Sequence, residues 1–185
     1  MAGPAADGGH RALEAPEARR WVAGFSFGSW VASRLAARSP DVERLILIAP
    51  PVHTQTFEVD TRGGRVLDVS DRVERFAREA GGDGLVHVFV PHATAGVALM
   101  ETGSGSEPDL EEVLDRLLPR DDRYRHRHGS TGHGGDHLLP VFVSPSLAIP
   151  CAEGRLLLGT WQRVVIVDPN RENNTRTVRL TFVPA

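Results

Sequence analysis

The pattern of apolar and polar positions changes character once along the chain. Residues 1–19 hold Ala, Gly, Pro and charge with no apolar period, which predicts a disordered leader. A short apolar run over 21–23 predicts a strand. Gly24-Phe25-Ser26-Phe27-Gly28 follows, and Trp30, Val31, Leu35 and Ala36 then recur at helical spacing up to Arg38. Ser39-Pro40-Asp41 breaks the helix. Residues 45–49 are continuously apolar, the mark of a strand buried on both faces, and Pro50-Pro51 ends the run.

Beyond Pro51 the positions alternate, as in half-buried antiparallel strands. Residues 54–60 predict a strand, Arg62-Gly63-Gly64-Arg65 a turn, and Val66-Leu67 the start of a return strand. Ser70 is placed to cap a helix with Val73, Phe76, Ala77 and Ala80 on one face, stopped by Gly81-Gly82-Asp83-Gly84. Residues 85–90 and 96–101 predict two more strands. Pro108 stands near the start of a helix that places Leu110, Val113, Leu114 and Leu117 on one face. Residues 119–136 read as a long charged loop rich in Gly and His, and loops of that length are functional or disordered. Strands are predicted over 147–151, 156–158, 163–167 and 178–183, with Ala152-Glu153-Gly154 and Pro169-Asn170 as turns.

Composition narrows the chemistry. At 185 residues, 41% hydrophobic and 24% charged, the chain has the size and make-up of one soluble globular domain, or one domain plus a fragment. A net charge of −3 gives no global field for nucleic acid or an anionic membrane, and no basic stripe with interleaved aromatics predicts nucleic-acid binding. No apolar run approaches the ~20 residues of a membrane helix. The single cysteine, Cys151, rules out an intrachain disulfide and any CxxC site, so a cytoplasmic, reducing location is expected and Cys151 reads as a small buried residue. All 21 basic residues are arginine. That excludes Schiff-base and Walker-A lysines and leaves arginine for phosphates and carboxylates. Four of the eight histidines, His126, His128, His133 and His137, fall close together in the long loop.

Gly24-Phe25-Ser26-Phe27-Gly28 matches G-x-S-x-G between a strand and a helix, the setting of a nucleophile elbow with Ser26 at its tip. Residues 20–52 therefore resemble a strand–helix–strand fragment of an α/β-hydrolase. The acid and histidine that such an enzyme places on later strands are missing from this segment, so it is expected to be a non-catalytic remnant, as a gene fusion would leave. A serine hydrolase acting through Ser26 is the least favoured alternative.

Over 53–185, Pro91-His92-Ala93-Thr94-Ala95-Gly96 follows a strand, where a short loop can hold an imidazole rigidly. Glu101 lies further along, then Tyr124-Arg125-His126 and Asp136-His137. Three imidazoles converging from separate loops would suit Zn²⁺ with an open position, and protonated histidines beside Arg125 or Arg127 would suit a phosphate. His128 and His133 read as solvated loop residues. Arg155 reads as surface charge. Trp161 reads as a packed aromatic, with Gln162 satisfying backbone groups.

These stretches resemble the YjbQ family, often named secondary thiamine-phosphate synthase. His92-Ala93-Thr94-Ala95 is similar to its H-T-[ST]-A, with Glu101 as the following acid. Glu107-Pro108-Asp109, Tyr124-Arg125-His126, Asp136-His137-Leu138 and Ser146-Leu147-Ala148-Ile149-Pro150 fall in the family's order. Gly154-Arg155-Leu156-Leu157-Leu158-Gly159-Thr160-Trp161-Gln162 matches G-R-L-x-L-G-T-W-Q and is the most specific run. The resemblance implies a compact α+β domain with a mixed, largely antiparallel β-sheet and a few helices, assembled as a homotrimer. It implies a site of His92, His126 and His137, as catalytic residues and as metal ligands, with Glu101 as a catalytic partner. The implied cofactor is a divalent metal such as Zn, and the implied substrate a small phosphorylated molecule. The implied activity joins hydroxymethylpyrimidine diphosphate to thiazole phosphate with loss of pyrophosphate. A non-catalytic metal- or anion-binding trimer is the alternative. The chain departs from the family at Ala93, at Ser144-Pro145, and at Gly132-His133-Gly134-Gly135, a stretch in which many relatives carry an acidic Asp-Asp or an Asn, so that His133 would replace an acidic ligand.

Overall fold

The computed structural model describes residues 20–25, 27–48 and 53–185. The expected leader (1–19), Ser26 and the Pro50-Pro51 boundary lie outside the described residues. The chain divides into two units between Pro51 and Val52.

In the first unit, β1 (Arg20–Phe25) and β2 (Val42–Ile48) pair in parallel across α1 (Phe27–Arg38), the crossover a parallel pair requires. Strand β2 starts ahead of the apolar run because Arg20 pairs with Val42. Leu45 and Ile46 are 41% and 45% exposed, so this strand is not buried on both faces as its sequence predicts. Two strands and one helix cannot cover both faces of a parallel sheet.

The second unit is an α+β domain in which every described strand pair is antiparallel. It holds β3 (His53–Asp60), β4 (Val66–Asp68), α2 (Ser70–Ala80), β5 (Gly84–Phe89), β6 (Gly96–Met100) and α3 (Ser106–Leu117). After α3 come α4 (His133–Asp136), α5 (Leu139–Phe142), β7 (Ser146–Ala152), β8 (Arg155–Leu156), β9 (Arg163–Val167) and β10 (Thr175–Pro184). Five strands form a sheet in the order β3-β10-β5-β7-β8, and three form a second in the order β4-β9-β6.

Two local expectations are corrected. Val66 and Leu67 pair with Val167 and Ile166 of β9, not back onto β3. Ser70 is the first helical residue of α2 and caps nothing: its hydroxyl accepts the Val164 N–H (2.8 Å), while Asp68 accepts the Ser70 N–H (2.8 Å). Both changes tie the start of α2 to β9.

Strand β9 reads Arg-Val-Val-Ile-Val and has no exposed side chain from Val164 onward. Val164 and Ile166 join Val97 of β6, the α2 face (Val73, Phe76, Ala77) and the inner face of the five-stranded sheet in the main core. Val165 and Val167 face the other way, into a second cluster with Leu114, Leu118 and Leu139. The three-stranded sheet is thus covered on both sides. The cover on the second side is thin, since Val113 and Leu117 of α3 stay about half exposed (52% and 50%).

Just past β9, Asp168 forms a two-point pair with Arg176 of β10 (2.7 and 3.0 Å), with side chains 0% and 3% exposed. Thr61 donates to Asp168 (2.8 Å), and Arg176 reaches the Thr94 hydroxyl (3.2 Å), so no charge is buried without partners. Removing one half of such a pair strands the other in a low-dielectric interior and costs about 3–5 kcal/mol. Arg176→Ala is therefore expected to cost that much in urea unfolding. Arg116→Ala, which breaks only the exposed Arg116–Glu112 pair, is expected to cost about 0.3–0.5 kcal/mol. Equal losses in the two variants would show that Asp168 does not depend on Arg176.

Candidate functional site

The second core cluster pins both ends of the long loop, through Leu118 on one side and Leu139 on the other. Between them Arg120 pairs with buried Asp136, and Arg120 also donates to the Pro169 carbonyl (3.0 Å). Burial pushes the Asp136 carboxyl up, and the hydrogen bonds and charge of Arg120, with Asn170, oppose that push. The loop is thereby closed at its base before its tip is shaped.

Glycine shapes the tip. Gly132 sits at φ 88°, in the left-handed region that side chains avoid, and turns the chain into α4. A Cβ on Gly134 would lie 2.6 Å from Tyr124 Cβ and 2.8 Å from the His126 carbonyl oxygen. Only a bare glycine lets Tyr124 and His126 approach α4 so closely. Tyr124 fills that contact, and its hydroxyl is buried with no hydrogen-bond partner among the described residues.

One turn of α4 puts His133 and His137 on one face, with Nε2 atoms 2.9 Å apart. His126 and His128 close over them, with ring centroids 4.0 Å from each other, 4.5 Å between His126 and His137, and 4.8 Å between His128 and His133. One ring nitrogen from each of the four lies within 4.8 Å of all the others. His133 is buried and His137 half-buried, whereas His126 and His128 are exposed. Burial, and then the neighbouring imidazoles, push His126 and His137 below the ordinary histidine value. They are held neutral, the form that binds a metal.

The donor set fits a metal. Four nitrogens about a tetrahedral Zn²⁺ at about 2.0–2.1 Å would lie about 3.3 Å apart. The His133–His137 pair is already that close, and a ring nitrogen of each exposed histidine lies within 4.8 Å of the rest. All-imidazole sites suit Zn, Cu, Fe or Ni better than Mg or Ca. Beside the cluster is a cavity of about 440 Å³, lined by His126, His128, Tyr124, Arg127, Asp121 and Asp122 among others. Its size is that of a small-ligand pocket.

The structure brings together two of the site residues expected from sequence, His126 and His137. It adds His128 and His133. His92 is not in this group: it follows β5, and its Nε2 accepts the Thr177 N–H (2.8 Å) beside the Arg176–Asp168 pair. Burial, and then Arg176, push its pKa down. Glu101 stands exposed just past β6, also outside the group. The sequence signal for His133 was its spacing, since H-x-x-x-H places both rings on one helical face. That signal is lost when the segment is read as loop.

The antiparallel two-sheet domain with a histidine cluster in its longest loop defines a protein class, and similarity gives the family. Residues 55–185 match the family described as UPF0047 protein YjbQ-like. The chain belongs to that family. It is 59% identical over 130 residues to the UPF0047 protein Rv2556c of Mycobacterium tuberculosis, covering 70% of this chain and 97% of that one. It is 31% identical over 110 residues to the UPF0047 protein YugU of Bacillus subtilis (56% and 79% covered). Among solved structures, the hypothetical protein APE1520 of Aeropyrum pernix superposes with a TM-score of 0.66 at 35% identity, covering 72% of this chain and 99% of that one. A YbjQ-like protein of unknown function from Sulfolobus solfataricus shares the fold (TM-score 0.67, 23% identity, 72% and 98% covered).

The lowered His126 and His137 values set a pH dependence. Below about pH 6.5 the unfolded chain takes up protons that the folded metal-free protein refuses, so stability is lost as pH falls through that window. With chelator present, the urea midpoint is expected to be lower at pH 5.5 than at pH 7.5, and His137→Gln is expected to narrow the gap. A midpoint in the wild type that does not move would contradict the lowering at His126 and His137.

Proposed function

We propose that the His126–His128–His133–His137 cluster binds a divalent metal, with zinc the best match, and that the protein is a metal-dependent transferase acting on a small phosphorylated substrate. The observation that carries this reading is four imidazole nitrogens converging beside a cavity of suitable size, which His126 and His128 line. The family resemblance supports a particular reaction, thiamine-phosphate synthesis. In it the bond between the pyrimidine methylene carbon and the diphosphate oxygen breaks, pyrophosphate leaves, and the thiazole nitrogen forms the new carbon–nitrogen bond.

A cation in the cluster would supply Lewis-acid neutralisation of the departing diphosphate. The chain's own residues do the rest. Arg127 lines the cavity and adds a permanent positive charge for a phosphate. The Arg120–Asp136 clamp keeps the histidine turn in place while the substrate is held. Neither lysine nor a covalent nucleophile is needed.

One observation favours a non-catalytic alternative. Four imidazoles can fill a tetrahedral ion completely, which is the pattern of structural sites, whereas catalytic zinc keeps a position open. The number of histidines that bind decides between the two readings. A serine hydrolase working through Ser26 has no such support, since Ser26 lies outside the described residues and the family match spans residues 55–185.

We also propose a homotrimer. The outer face of the five-stranded sheet carries Leu85 and Val183 as cross-strand neighbours, 44% and 48% exposed, and Trp161 is 71% exposed in the single chain. Apolar groups of that kind are candidates for subunit contacts. No helix among the described residues is long and apolar enough to cross a membrane. The single cysteine supports a cytoplasmic setting.

Elemental analysis beside turnover tests the proposal. Purified protein is expected to carry about one zinc per chain, and His137→Ala is expected to lose it. Wild type is expected to release pyrophosphate from the two purified substrates, and the variant to lose that activity with its metal. Metal without turnover supports the binding-protein alternative. Neither metal nor turnover removes the proposal.

A further inference from the structure

The connection between β9 and β10 crosses the histidine turn and carries a carboxylate, Glu172, aimed at it. Its backbone is fixed: the Asn170 side-chain oxygen accepts the N–H groups of Glu172 (3.0 Å) and Asn173 (3.1 Å). The Asn170 N–H in turn donates to Asp168 (3.1 Å), so this turn is wired to the buried Asp168–Arg176 pair. One carboxylate oxygen of Glu172 accepts the Ser130 N–H. The other, Oε2, lies 3.1 Å from Nδ1 of His133.

His133 therefore has two distinct ends. Its Nε2 faces the Nε2 of His137 inside the cluster, and its Nδ1 faces Glu172 outside it. Asn170 Nδ2 also approaches Nδ1, but at 3.5 Å, and its shorter bond goes to Asp136 (3.2 Å). The carboxylate is the nearer group to Nδ1 and the charged one, so its field favours the ring proton on that nitrogen. An imidazole that gives its Nδ1 proton to a carboxylate keeps its lone pair on Nε2.

We infer that Glu172 is a positioning residue that holds His133 as the Nδ1–H tautomer and so presents the Nε2 lone pair to the metal. The inference rests on the metal reading of the cluster for its purpose, but the tautomer itself is observable without metal. It assigns the β9–β10 turn, far along the chain from the histidine loop, to the site.

Two measurements on the full chain test it, with cobalt(II) as the probe ion. In metal-free protein, nitrogen NMR of the histidine rings is expected to find His133 protonated on Nδ1 in the wild type. Glu172→Ala is expected to give a mixture of tautomers, and Glu172→Gln, which keeps an acceptor without the charge, an intermediate state. Cobalt titration is expected to show about 10- to 100-fold weaker binding in Glu172→Ala, with an altered visible spectrum, and partial rescue in Glu172→Gln. Unchanged tautomer, affinity and spectrum in a folded Glu172→Ala would overturn the inference while leaving the metal site standing. A wild type that binds no cobalt, yet shows the tautomer shift, would overturn the metal reading and leave the hold of Glu172 on His133 supported. Should Glu172→Ala fail to fold, Glu172→Gln carries both measurements.

Discussion

The burial of β9 on both faces is the constraint from which the rest of the domain follows. A strand of four consecutive β-branched residues, Val164 to Val167, has no polar side to offer water. Each fully buried Val or Ile contributes about 1.5–3 kcal/mol, so leaving one face open would forfeit the gain of two of them. The chain meets the demand with two clusters. The five-stranded sheet and α2 cover Val164 and Ile166, and α3 and α5 cover Val165 and Val167. The Ser70 hydroxyl on the Val164 N–H locks α2 to the same strand.

That arrangement also decides where the polar chemistry goes. Covering the second face requires both Leu118 and Leu139, so the chain between them must leave that face and return to it. β9 ends nearby, and its exit carries Asp168, Asn170 and Glu172. Asp168 is neutralised by Arg176, Asp136 by Arg120, and Asn170 joins the two pairs through its backbone and its side chain. A hydrogen-bonded line thus runs from the core of the domain to Glu172, beside His133. Buried polar groups linked in this way rigidify what they touch, because each member left unpaired would cost more than its bond contributes.

Membership of the YjbQ-like UPF0047 family gives the fold and the order of the motifs, while the histidine cluster is set by this chain's own loop. His133 and His128 join His126 and His137, and the crowded glycines beneath them leave no room for side chains. His92, expected in the site with His126 and His137, accepts the Thr177 N–H of β10 with its Nε2. Four imidazoles beside a cavity would leave a bound ion either three ligands and an open position or four and none. That choice separates catalysis from storage or structure.

Local periodicity is enough to place most strands and the three longer helices, because alternation and helical spacing are written in neighbouring residues. The 163–167 strand and the α2 face (Val73, Phe76, Ala77) are seen where the pattern puts them. The motif order was enough to identify the family, and the glycine- and histidine-rich loop to mark the site. What local pattern could not supply was pairing across long separations. Val66 and Leu67 have a strand's residues, but only the two-faced β9 explains why they join it and not β3. Nothing near Glu172 in sequence points to His133, since their meeting depends on two loops far apart in the chain coming together. Sequence pattern reads His133 as solvated because α4 is too short to show in it, and the structure buries the ring. Its single turn exists only where Arg120 and Tyr124 pack against bare glycines.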